Sequence, residues 1–356
     1  GFVGLNSTSI PDTTLSPNQS EQADDHFNTV LYTGNGYPTS NGQTISGVGF
    51  QPDWTWIKDR SRSGYNHYLL DSTRSATKVL RANLNNAEGT EGTSLTSWNS
   101  DGFVLGANNE VNYQNDSFVA WNWKANGGTT SSNTDGTITS TVQANTTAGF
   151  SIVTYTGTGT QSDTVGHGLG KKPAWYFTKS RSEAQNWHVY HHKLDASAPE
   201  NYIITLNASN ARSSSSADFW NSTAPTTSVV SVGDDNSSNK NGTTYVMYCF
   251  AEIDGYSRFG TYSGNSNADG TYVFTGFRPA MVIFKATHTD SWVIADNKRD
   301  PHNQVNGQLF PDLSNAESTS NAICDFLSNG FKLRRNAGSI NQNTYIYMAF
   351  AEQPFK

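Results

Sequence analysis

Short runs in which bulky residues alternate with polar or small ones recur along this chain, each closed by a turn, and helical periodicity is weak throughout. Three of these runs open alike. "HFNTVLYTGNG" begins at His26, "GFSIVTYTGTG" at Gly149 and "RFGTYSGNS" at Arg258; each has Phe, a short alternating run, Tyr, then Thr or Ser with Gly. Alternation of period two closed by Gly predicts a strand followed by a turn. A Pro-containing phrase follows each opening: "GFQPDWTWIKDRS" from Gly49, "GLGKKPAWYFTKSRS" from Gly168 and "TGFRPAMVIFKATHTDSW" from Thr275. A closing phrase ends each: "SFVAWNWKA" from Ser117, "TYVMYCFAE" from Thr244 and "TYIYMAFAE" from Thr344. Aligned, Val119, Trp121 and Trp123 match Val246, Tyr248 and Phe250, and then Ile346, Met348 and Phe350. Alternate residues of a strand share a face, so the face that is large and apolar three times is predicted to be the core face. The opposite face is also fairly apolar in the second and third closing runs, which predicts a strand in mid-sheet covered on both sides.

The phrases between also agree in order. "LLDSTR" from Leu69 resembles "IADNKR" from Ile294, "NAEGT" from Asn86 resembles "NAEST" from Asn315, and "SDGFVLG" from Ser100 resembles "SNGFKLR" from Ser328. A unit of roughly a hundred residues therefore recurs, long enough to be a domain. Each copy reads as about seven to ten short strands with frequent turns. The best helical stretch, "TRSATKVLRANLNNAE" from Thr73, is interrupted by Asn and reads equally as strand and loop. The predicted class is all-β, with three tandem antiparallel β-sandwich domains of jelly-roll or concanavalin-like type. The boundaries read as an extended N-terminal arm at 1–25, a first repeat at 26–125, a Gly/Ser/Thr linker with room for one edge strand at 126–148, a second repeat at 149–255 and a third at 256–356.

Composition narrows the function classes. Of 356 residues, 9 are Trp, 16 Tyr and 18 Phe, so there is material for cores and disorder is not expected. The net charge is −7 and no basic cluster exceeds two neighbours, which argues against a nucleic-acid partner. No apolar run reaches the length of a membrane-spanning helix. Two cysteines, Cys249 and Cys324, sit in apolar runs and read as buried free thiols.

The phrases "HFNTVLYTGNG", "GVGFQPDWTWIKDRS", "SDGFVLG", "SFVAWNWKANGG", "DGTITSTVQANTTAGFSIVTYTGTG" and "TYIYMAFAEQPF" resemble a domain that recurs in virion proteins of marine tailed bacteriophages, including cyanophages. The resemblance runs from His26 to Phe355. It implies a structural component of a virion appendage, a fibre, spike or capsid decoration at the particle surface. It also implies other virion proteins as partners and a homo-oligomer, most simply a trimer. A lectin-like module that binds host surface glycans is the alternative, and a glycan hydrolase a third reading. The resemblance carries over no catalytic residues.

Candidate chemistry is sparse. Asp71 and Asp296 match one another, as do Glu88 and Glu317, and paired carboxylates serve glycoside hydrolysis. The second repeat lacks a clear equivalent of either, so local ion pairs with Arg74 and Arg299 are the simpler reading. "WHVYHH" would place His188 and His192 on one strand face, but no third metal ligand is evident. "GDDNSSNKNG" from Gly233 is rich in oxygen atoms and is where calcium would bind, although such stretches also make ordinary turns. No catalytic residue, bound cofactor or metal site is therefore assigned. Trp54 and Trp56, with Trp175 and Phe177 and with Val282 and Phe284, read as matched core positions. Aromatics without a counterpart, Trp98, Trp220, Tyr65 and Tyr113, are the candidates for glycan binding.

Overall fold

The structure is a computed structural model and describes residues 22–214 and 217–352. Most of the arm expected at 1–25 lies outside those residues; its end, Ala23–Asp25, is a turn of 3-10 helix that buries Ala23. The chain is nearly all β, and its sheets are antiparallel.

Each recurring phrase forms a strand. The opening strands are Phe27–Thr33, Phe150–Thr156 and Ser257–Ser263. The Pro phrases give Trp54–Asp59, Trp175–Ser180 and Pro279–Ala286, and the closing strands are Ser117–Trp123, Thr244–Phe250 and Thr344–Ala351. In every repeat the closing strand lies between the opening and Pro strands. Beyond the Pro strand comes a short fourth strand, Tyr68–Asp71, His188–His191 or Val293–Asp296. The registers coincide: Trp54 lies opposite Trp123, Trp175 opposite Phe250 and Met281 opposite Phe350. Met281 and Ile283, rather than the expected Val282 and Phe284, thus stand where Trp54 and Trp56 do. Counting from the Pro of each phrase gives the same correspondence.

A smaller sheet covers one face of each main sheet. In the first repeat, Val30, Ile57, Tyr68 and Phe118 pack against Ile45, Leu95, Phe103 and Leu105 of strands Gln43–Ile45, Leu95–Asn99 and Gly102–Leu105. In the second, Val153, Tyr176, Tyr245 and Met247 meet Val165, Val230 and Val232 of strands Asp163–Gly166 and Val229–Val232. The third uses Tyr272–Phe274, Cys324–Leu327 and Gly330–Leu333.

The other faces of the three main sheets meet one another. Trp54, Trp56, Trp121 and Trp123 of the first repeat, Phe150, Trp175, Phe177, Tyr248 and Phe250 of the second, and Phe259, Met281, Ile283, Met348 and Phe350 of the third lie in one continuous core. Ring contacts cross every boundary: Trp54 to Tyr248 at 4.6 Å, Trp123 to Phe350 at 5.7 Å and Phe250 to Phe350 at 5.9 Å. Closing strands that are apolar on both faces are thus explained, with the shared core on one side and the small sheet on the other.

Hydrogen bonds link the repeats in a cycle. The backbone N–H of Glu88 donates to the Arg181 carbonyl (2.7 Å), that of Glu317 to Arg60 (2.9 Å) and that of Arg212 to Thr287 (3.0 Å). These three bonds join first to second, third to first and second to third. A second set runs parallel: the Trp187 indole donates to the Arg81 carbonyl (2.9 Å) and the Trp292 indole to Thr205 (2.9 Å). His67 holds the third such position and faces the backbone of Phe310. Its Nδ1 accepts from the Trp56 indole at 2.9 Å, which leaves the ring proton on Nε2.

One stretch differs from expectation, and the structure decides another that the sequence left open. The linker proposed at 126–148 contains two strands, Ser131–Asn133 and Ser140–Asn145, which extend the second main sheet beyond its opening strand. Their residues, SSN and STVQAN, are mostly small or polar and read as loop by composition. The stretch from Thr73 contains the strand Lys78–Arg81 flanked by loops. Both cysteines are buried and free.

Candidate functional site

The matched carboxylates are locked into buried ion pairs. Asp71 holds the Arg74 N–H groups of both backbone and Nε, and the Tyr248 hydroxyl donates to it at 2.7 Å. The same guanidinium reaches Glu88 (2.9 Å), the Leu69 carbonyl (3.1 Å) and the Tyr248 oxygen (3.1 Å). Burial opposes the Arg74 charge, yet Asp71, Tyr248 and Glu88 more than offset it and hold the guanidinium protonated. Burial would raise the Glu88 carboxyl, but Arg181 and Arg74 together bring it below its ordinary range. Such a group does not serve as a proton donor. The third repeat repeats the arrangement: Arg299 pairs with Asp296 and Glu317, and Asp296 accepts the Trp121 indole at 3.0 Å.

The second repeat holds the same places with other chemistry. His191 lies opposite Trp175, as Asp71 lies opposite Trp54. Arg212 takes the place of Glu88 and Glu317 and reaches Asp195 at 3.1 Å. The positions recur although the charges are exchanged, and sequence comparison could not see that.

The histidine cluster does not converge. His188 packs on Phe219 at 4.2 Å, His191 sits against Trp175 at 4.9 Å, and His192 turns its Nε2 to the Phe259 carbonyl of the third repeat at 2.6 Å. Burial lowers His188 to about 4. Among the described residues no group of three His, Cys, Asp or Glu side chains is placed to hold a metal.

In the oxygen-rich stretch 233–242, Asp235 accepts the Ser237 N–H (2.6 Å), and the wholly buried Asn239 accepts the Thr158 N–H (2.9 Å) while donating to the Thr160 carbonyl (2.9 Å). Asn112 and Asn341, also wholly buried, accept from Asn35 (2.8 Å) and Asn265 (3.1 Å) at equivalent places. These three asparagines fix the turn after each opening strand. The readable signal is an Asn shortly before every closing phrase.

Of the four candidate aromatics, Trp220 is excluded. It is wholly buried, edge-on to Tyr176 at 4.9 Å, and has no face to offer a sugar. Trp98 is half-buried against Phe103. Tyr65 and Tyr113 do come together at 6.3 Å, with the Arg62 guanidinium 3.8 Å over the Tyr113 ring and Tyr37 5.4 Å away.

The Lys that ends each Pro phrase is fully buried in all three repeats: Lys58, Lys179 and Lys285. Each ammonium is held by carbonyls, Lys58 by Asp59 (2.6 Å), Lys179 by Ser180 (2.7 Å) and Lys285 by Asp290 (2.8 Å). Burial pulls their pKa values down to about 8, 7 and 8. The unfolded value is about 10.4, so the unfolded chain binds more protons across the interval and stability rises with pH there. We expect urea unfolding to show a chain more stable at pH 9 than at pH 7, by roughly 1–3 kcal/mol. Lys179→Met should lessen that rise while Lys58 and Lys285 keep their share; an unchanged slope would contradict it.

An open concavity with mixed chemistry lies where the second repeat meets the third. It measures about 470 Å3. It is lined by Gly260 and Tyr347, by Tyr272, Val273 and Phe274, and by His192, Lys193, Glu252, Arg258 and Thr261. A Cβ on Gly260 would fall 2.5 Å from the Tyr347 ring, so only Gly lets that ring lie against the opening strand. Tyr272 and Phe274 are 42% and 62% exposed, and Phe274 is the most exposed large apolar side chain among the described residues. Glu252 accepts the Phe259 N–H at 3.0 Å and lies 3.5 Å from Arg258.

No curated protein and no solved structure matches the chain. The profile of one family, described as a domain of unknown function, DUF7483, matches residues 22–354. That span takes in all three repeats and every residue of the groove, and the chain is a member of the DUF7483 family.

Proposed function

We propose that this chain is a structural component of a bacteriophage virion appendage, formed by three β-sandwich repeats that close on one another as a single rigid head. The observation that carries the scaffold part is the cycle of backbone hydrogen bonds from Glu88, Arg212 and Glu317, which joins each repeat to both others. A shared core with bonds on all its boundaries resists bending between repeats, as a load-transmitting part requires. The virion part rests on the resemblance of the recurring phrases. A non-enzymatic role accords with carboxylates consumed in buried ion pairs. The threefold closure that a fibre obtains from three chains is obtained here from three repeats. Assembly into a homo-oligomer with other virion proteins would then use surfaces outside this closure. Peptide mass spectrometry and immunogold labelling of purified particles test the reading. The expected result is the chain at the particle surface in fixed copy number; its recovery only from the soluble lysate would overturn it.

The lectin-like alternative has one observation in its favour, the groove between the second and third repeats that Tyr272 and Phe274 line.

A further inference from the structure

We propose that the groove between the second and third repeats binds an acidic glycan, with sugar rings stacked on Tyr272 and Phe274 and carboxylates held by Lys193 and Arg258. This rests on the lectin-like reading and gives it a site and a ligand class.

Equivalent positions should look alike where they serve only the fold. Where Gly260 lies opposite Tyr347, the first repeat pairs Val30 with Ala120 and the second Val153 with Met247. Where the third repeat exposes Tyr272 and Phe274, the strand registers place Thr44 and Ser46 in the first and Thr164 and Gly166 in the second. Arg258 likewise replaces Asn28 and Ser151. These departures come from separate strands and converge on one concavity. Burial does not explain them, because Phe274, Tyr272 and Arg258 remain exposed.

The lining then sets the ligand. Tyr272 and Phe274 are two apart on one strand and so present rings on the same side, roughly 7 Å apart along it, comparable with one sugar unit. An exposed aromatic wall beside polar groups suits a ligand with apolar C–H faces and a polar perimeter. Two cations, Lys193 and Arg258, face one carboxylate, Glu252, which already serves Arg258 and a backbone N–H. The surplus is positive, on a chain whose net charge is −7. An acidic sugar chain is favoured over a neutral one.

The test is isothermal titration of the full chain with two probes, an oligogalacturonate and the uncharged maltohexaose, at low and high salt. We expect the oligogalacturonate to bind and to weaken with salt, and maltohexaose to bind at least about tenfold more weakly. Phe274→Ala and Lys193→Gln, both at exposed positions, should each weaken oligogalacturonate binding about tenfold while leaving the thermal midpoint unchanged. Failure of both probes to bind overturns the proposal. Equal binding of the two overturns the acidic preference. Oligogalacturonate binding that both variants leave intact overturns the groove but leaves a lectin-like function elsewhere on the chain, and none of these results depends on where the chain sits in a particle.

Discussion

Asp71→Ala will destabilise the folded chain by about 3–5 kcal/mol, because it strands the Arg74 guanidinium in the interior. Both side chains are fully buried, so no water replaces the lost carboxylate. The substitution also removes the acceptor of the Tyr248 hydroxyl, which belongs to the next repeat. Glu88 still neutralises part of the charge, but it is shared with Arg181. Asp296→Ala should behave alike, since it strands Arg299 and the Trp121 indole. His191→Ala, at the equivalent place in the second repeat, leaves no charge uncompensated and should cost distinctly less. Urea unfolding followed by tryptophan fluorescence gives all three values. A loss of under about 1 kcal/mol for both Asp variants would show that these pairs are solvated rather than interior.

Much of the fold was legible because period-two alternation is a local signal. The three closing strands, their core faces and their place in mid-sheet could be read from Trp121, Tyr248 and Met348 and their neighbours. The shared core could not be read. An apolar face shows that something covers it, and nothing in "SFVAWNWKA" tells whether the cover is the repeat's own second sheet or another repeat. The strand Ser131–Asn133 at the sheet edge, and Ser140–Asn145 beside it, were hidden for a related reason. An exposed edge needs few large side chains, so its composition is that of a loop.

Uniqueness among the repeats was the right criterion for a binding aromatic, but Trp220 shows that a unique residue can be unique filler. It occupies the space beside Tyr176 that the other repeats fill differently. Tyr272 and Phe274 meet the same criterion, but no shared phrase marks them, because their matching positions, Thr44, Ser46, Thr164 and Gly166, are set by strand register. Gly260 carried the clearest local sign: a Gly interrupts the alternation of an opening strand where the other two have Val.

The largest effect follows from the shared core: the three repeats unfold together. The inner face of each main sheet is covered by the other two, and Trp54, Trp123, Tyr248, Phe250 and Phe350 touch across the boundaries. Losing one repeat would expose the large side chains of both others, at about 1.5–3 kcal/mol for each apolar side chain uncovered. That exceeds the net stability of an ordinary domain after a few residues. No repeat should therefore persist when another opens, despite each being long enough to fold alone. Hydrogen exchange read by mass spectrometry at equilibrium across a urea series reports each repeat separately, through peptides spanning Ser117–Trp123, Thr244–Phe250 and Thr344–Ala351. Closure predicts that all three lose protection at one urea midpoint, and that Asp71→Ala lowers that midpoint equally in all three. Separate midpoints, with the variant shifting only the first repeat, would contradict it.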